Sequence, residues 1–79
     1  MNPVSLSDLA VDAVAQFHEA RLDPEAVRLL QTLGFTKAIR VRLCKAGEPC
    51  IVQVRSTRIG LSSEVARNIF VIPEAPHAR

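Results

Sequence analysis

Few side chains in this sequence could do chemistry, and their spacing narrows what that chemistry is. Cys44 and Cys50 are separated by five residues, which is not the two-residue gap of a zinc knuckle or a redox motif. His77 in the tail adds no second ligand at useful spacing. His18 and Glu19 are adjacent on a predicted strand, so they are expected to point to opposite faces and not to share a metal. Neither cysteine has a histidine at a spacing that suggests a nucleophile and its base, and Cys50 is expected to be buried and inert. Ser62 and Ser63 read as helix-capping residues. The carboxylates of residues 1–27 spread over at least three elements, so no acid/base pair is visible. The expectation is a protein that is not an enzyme, with no catalytic residue, no metal ligand set and no cofactor. What remains is charge: Arg40, Arg42 and Arg55, with Arg58 and Lys37 nearby, could form a cationic ribbon able to meet acidic protein loops or phosphate groups. An ordinary solvated face is the competing reading.

The elements that would position this ribbon follow from periodicity. Ile39, Val41 and Leu43 alternate with Arg40, Arg42 and Cys44, and Cys50, Val52 and Val54 alternate with Ile51, Gln53 and Arg55. Two amphipathic strands result, joined by Ala46-Gly47-Glu48-Pro49. Pairing Lys45 with Cys50 sets Leu43 against Val52 and Val41 against Val54, which unites the apolar face; a slip by one residue mixes the faces. This register places Cys44 outside and Cys50 inside, disfavouring a disulfide between them. Ahead of the hairpin, Asp23 can cap a helix, Pro24 suits its first position, and Glu25 suits its positive end. Ala26, Val27, Leu29, Leu30 and Leu33 share one arc, and Gly34 supplies the left-handed residue that stops a helix over 24–33. A first strand is expected near 12–19, although the alanines there keep a helix open. Residues 58–61 read as a fourth strand, 63–66 as a helical turn, and 68–72 as a fifth strand ended by Pro73 and Pro76.

Seventy-nine residues leave room for one core, which at this size contributes roughly 3–5 kcal/mol of net stability. Apolar runs stop at four residues, well short of the roughly 20 that span a bilayer, and the N-terminus has no basic, apolar leader. A cytoplasmic location is expected, with reduced thiols. The net charge of +2 hides an asymmetry. Residues 1–27 carry five carboxylates against Arg21 alone, and residues 28–67 carry eight basic side chains against Glu48 and Glu64. Five short strands around a small interior, with one helix after the first strand and a helical turn before the last, imply a mainly β, partly open SH3-like barrel over residues 5–72. Residues 73–79 are expected to be a flexible tail.

The order of these pieces resembles the FeoA family. The likeness rests on Leu30-Gln31-Thr32-Leu33-Gly34-Phe35, the basic alternating strand, the Gly47-Glu48-Pro49 turn, Thr57-Arg58-Ile59-Gly60-Leu61, and Glu64-Val65-Ala66 before Ile69-Phe70-Val71. It covers residues 5–72. The resemblance implies a small cytoplasmic SH3-like domain without enzymatic activity that supports FeoB, a membrane ferrous iron permease containing a GTPase. The family usually has Pro-Gly where this chain has Val11-Asp12 and Lys37-Ala38, and commonly Gly where it has Ser56. Ala38 accordingly predicts that the turn after Phe35 departs from type II geometry.

On this reading, Arg40, Arg42, Arg55, Arg58 and Lys37 contact the partner, with Leu29, Leu33 and Phe35 as an apolar second element. A purely structural role in the core is the other account of those three. Nucleic acid is not expected as a partner, because no aromatic residue interleaves the basic ones, and neither is membrane insertion. Two alternatives stand beside transporter docking. One is a regulatory module like the C-terminal domain of DtxR-type metal-dependent repressors, binding metal or protein; the other is a homo-oligomer formed through strand edges.

Overall fold

The computed structural model describes residues 2–74, so residues 75–79 of the expected tail, His77 among them, lie outside the described residues. Six strands form one antiparallel sheet: β1 (Val4–Ser5), β2 (Val14–Ala20), β3 (Arg40–Lys45), β4 (Cys50–Val54), β5 (Thr57–Leu61) and β6 (Ile69–Pro73). Their order is β1-β6-β2-β3-β4-β5, so β1 and β5 are the edges. Helix α1 (Pro24–Thr32) follows β2, and the short α2 (Ser63–Arg67) precedes β6. The five expected strands and both helical segments are present, in a mainly β, SH3-like arrangement. β1 and the 3-10 turn Leu6–Asp8 behind it are additional. Two residues carry no readable period, yet they pair with Val71 and Phe70 and bring Leu6 into the core.

The helix ends are fixed locally. Asp23 accepts a hydrogen bond from Ala26 N–H at 2.8 Å, and Pro24 occupies the first turn. At the other end Gly34 (φ +109°) donates to Gln31 O at 3.0 Å and Phe35 N–H donates to Leu30 O at 3.0 Å. This is the Schellman pattern, and it turns Phe35 and Leu30 into the core together. The left-handed φ favours glycine here, and a Cβ on Gly34 would press on Val54 Cγ1 at 3.2 Å. α2 is capped twice: Ser62 Oγ accepts from Val65 N–H at 3.2 Å, and Glu48 Oε1 accepts from Ser63 N–H at 2.6 Å.

The hairpin register holds at its centre, with Leu43 opposite Val52 and Val41 opposite Val54. Near the tip it differs from expectation, because Lys45 pairs with Ile51 and not with Cys50, leaving Cys44 as a bulge residue. Cys50 instead pairs with Leu61 across β5 and is buried. Burial raises the Cys50 thiol pKa, and both cysteines are free thiols. A second bulge interrupts β2 against β6 between Phe17 and Glu19. His18 and Glu19 are therefore both exposed, contrary to their expected division between faces, and Glu19 pairs with Arg21 at 3.0 Å.

Inward residues of the long strands, with Leu6, Leu30, Phe35 and Ala66, make one core, and among the described residues no polar side chain is buried. Phe35 is wholly buried and meets Phe17 edge to face at 5.8 Å between centroids. The chain stays ordered into the sheet beyond residue 72: Pro73 lies in β6, and Glu74 N–H donates to Val14 O at 3.0 Å. The expected boundary of a loose tail at residue 73 is thus too early. The turn after Phe35 also differs from expectation. Ile39 N–H donates to Thr36 O at 3.0 Å, and Ala38, third in that turn, has φ +65°. A left-handed third residue is what a type II turn needs. Alanine accepts it because Ala38 N–H bonds Phe17 O at 3.0 Å and Phe17 N–H bonds Ile39 O at 2.8 Å. No helix among the described residues is long and apolar enough to cross a membrane.

Candidate functional site

The β-pleat carries alternate residues of β3 and β4 to the outer face, where neighbouring strands set them in rows. Val14, Arg42, Gln53 and Arg58 follow one another across β2, β3, β4 and β5. Arg40 lies in the next row, opposite Gln16, and Arg55 lies at the start of the turn between β4 and β5 with φ +58°. Between these rows the surface sinks into a groove of about 530 Å³, lined by Val14, Ala38, Ile39, Arg40, Val41, Arg42, Gln53 and Arg55. Three of the five expected cationic residues therefore share one concavity. Arg58 extends the row on β5, and Lys37 is exposed one residue before the groove wall.

Side-chain hydrogen bonds fix much of this surface. Arg42 Nη2 donates to Gln53 Oε1 at 3.3 Å, while Gln53 Nε2 donates to Arg55 O at 3.0 Å. One amide thus orients a guanidinium and secures the left-handed turn beside it. Arg40 is held differently: its Nε and Nη2 donate to the two carboxylate oxygens of Glu74 at 2.9 and 3.1 Å. Among the described residues, Arg42, Arg55, Arg58 and Lys37 have no carboxylate partner. Gln53 and Glu74 were not legible as site residues, since one pairs across strands and the other arrives from 34 positions away.

The apolar element divides. Leu29 is 61% exposed and Leu33 39% exposed on α1, so both can meet a partner. Phe35 cannot. At 0% exposure it belongs to the core, where it supports the start of the groove-forming segment. A smaller hollow of about 220 Å³ lies between α1 and β2, with Phe17, Ala20, Val27 and Leu30 in its walls. Among the described residues no three His, Cys, Asp or Glu side chains group closely enough to hold a metal ion.

Comparison with known proteins gives these features a context. No curated protein matches the chain. Among solved structures, the FeoA protein of Chlorobium tepidum superposes with a TM-score of 0.87 at 20% identity, covering 95% of this chain and 74% of that one. A FeoA from Stenotrophomonas maltophilia, described as a procaryotic SH3 domain protein and solved with zinc, is 32% identical with a TM-score of 0.75, covering 86% and 88%. A manganese-dependent transcriptional repressor shares the fold at 18% identity and a TM-score of 0.82; the match spans 91% of this chain and 42% of the repressor. The family model of the FeoA domain matches residues 4–73. By sequence over nearly its whole length, the chain belongs to the FeoA family.

Proposed function

We propose that this protein is a non-enzymatic accessory of ferrous iron uptake that docks on the cytoplasmic part of a FeoB-like membrane GTPase transporter and modulates its activity or assembly. Membership of the FeoA family supports the iron-transport setting, and the S. maltophilia relative has been put forward as a ferrous iron transport activating factor. The observation that carries docking is the groove on the hairpin, where Arg42 on β3 and Arg55 in the turn after β4 have no carboxylate partner among the described residues. A preorganised cationic surface favours fast, oriented association with acidic protein surface and loses little side-chain entropy on binding. Lys37 and Arg58 would extend the field at its margins, and Leu29 and Leu33 would supply apolar contact along α1. Such an interface weakens with salt, since its charges are exposed to solvent.

Capture of the transporter's purified cytoplasmic part tests this reading. Arg42→Glu with Arg55→Glu should weaken capture by at least about tenfold at moderate salt, because attraction becomes repulsion in the groove. The circular dichroism spectrum should be unchanged. Equal capture by the double variant and the parent would reject the hairpin groove as the docking surface.

A further inference from the structure

The groove has a chemistry more specific than positive charge. Its half-buried Val14 and Ile39, with Ala38, provide an apolar floor beneath a rim of Arg40, Arg42 and Arg55. One rim position already holds a ligand of known type. The Glu74 carboxylate is seated on Arg40 through two parallel N–H···O bonds, the fork geometry that guanidinium and carboxylate prefer. Glu74 is delivered there by its own backbone, whose N–H is bonded to Val14 O at the same margin of the groove. Three guanidiniums face one carboxylate, so two cations remain in excess, and Gln53 holds the Arg42 guanidinium and the Arg55 backbone. Among the described residues no aromatic side chain lines the groove, so it lacks the aromatic platform on which successive nucleobases stack.

We propose that the groove binds an acidic segment of a partner protein that sets an apolar side chain on Val14 and Ile39 and carboxylates on Arg42 and Arg55, and that Glu74 competes with that segment for Arg40. This deepens the docking reading above and rests on it for the partner's identity, though not for its chemistry. Glu74 acts as a built-in competitor. Its removal releases Arg40 and withdraws a negative charge from the path of the incoming carboxylates, so Glu74→Gln strengthens binding whereas ordinary loss of a surface residue would weaken it or do nothing.

The full chain, labelled with nitrogen-15, can be titrated with a capped peptide of sequence Glu-Leu-Glu-Glu-Leu-Glu and, separately, with its lysine counterpart, with inorganic phosphate and with a short single-stranded RNA. The acidic peptide should shift the amides of residues 39–42 and 53–55 saturably. Glu74→Gln should lower its Kd by about threefold to tenfold, a gain on the scale of one exposed or partly exposed charge contact. Arg42→Glu with Arg55→Glu should abolish the shifts. Unperturbed β6 amides would show that Glu74→Gln leaves the strand in place. The proposal is overturned if the shifts map outside the groove, if the lysine peptide, phosphate or RNA binds there as tightly, or if Glu74→Gln leaves the peptide Kd unchanged or raises it. The same variants, tried on the transporter's cytoplasmic part, separate the two claims. Peptide binding that behaves as expected while transporter capture ignores the arginine variants rejects the docking reading and keeps the groove; the reverse pattern rejects the groove chemistry.

Discussion

The two ends of the β3–β4 hairpin solve one backbone problem in opposite ways. At the tip, Gly47 takes φ +111° with open space where a Cβ would be, so the turn is made by the residue suited to it. At the other end the left-handed positions fall to Ala38 (φ +65°) and Arg55 (φ +58°), where a side chain costs about 1–2 kcal/mol relative to glycine. That end carries the groove. Strain held by surrounding hydrogen bonds points to a place where geometry is set for use, and here the bonds come from Phe17 and Gln53. The tip serves structure: Glu48 reaches across to Ser63 and ties the hairpin to α2.

The sharpest way to break this contrast is to remove what supports the strained end. Phe35→Ala should cost about 3–5 kcal/mol, as large as the net stability of a domain of this size, and urea melts should show a largely unfolded chain. A loss below about 1 kcal/mol would mean that the Phe17–Phe35 contact does not underpin the Ala38 turn. A paired exchange sharpens the comparison at smaller cost. Gly47→Ala should destabilise by about 1–3 kcal/mol, whereas Ala38→Gly should stabilise by about 0.5–1 kcal/mol, the relief of φ being partly offset by glycine's greater unfolded freedom. Chemical denaturation that moved both variants in the same direction would refute the distinction drawn between the ends.

The smallest effect concerns acid. Hydrogen bonds from the Ser63 side chain and from its backbone N–H favour the charged form of Glu48 and hold its pKa below the ordinary 4.5. Its contribution is therefore present above the unfolded-state pKa and is lost as pH falls through the lower, folded value. Glu48→Gln should flatten that part of the acid unfolding curve, with only a slight change near neutrality, as pH-dependent melts would reveal.

Much of the fold was legible because it is written in local period and local caps. The alternation through residues 39–55 implied the hairpin and its central register, and Asp23-Pro24 with Gly34 bracketed α1. The site was legible only in part. Arg40, Arg42 and Arg55 do converge, but the apolar Phe35 next to Gly34 had both a core and a contact reading, and the Schellman turn directs it inward. The bulges at Cys44 and His18 displace pairing by one residue, a choice that the hydrophobic pattern does not encode. Ala38 is left-handed because Phe17, 21 positions earlier in the numbering, fixes it by a hydrogen bond. Glu74 was assigned to a tail because its partner is 34 residues away.

The unequal borders of the sheet bear on self-association. β1 spans two residues, which leaves β5 as the longer border among the described residues. The pair Val54 and Thr57 closes a two-residue turn, so by antiparallel alternation Arg58 and Gly60 aim their peptide groups away from β4. Two copies zipped border to border around Ile59 would place each Arg58 opposite a Gly60, gathering two guanidiniums on one short ribbon without an acid on β5 to offset them. The molecule thus carries its own deterrent to edge-to-edge growth into extended sheets, in a cation that such pairing would bring onto the same face as its copy.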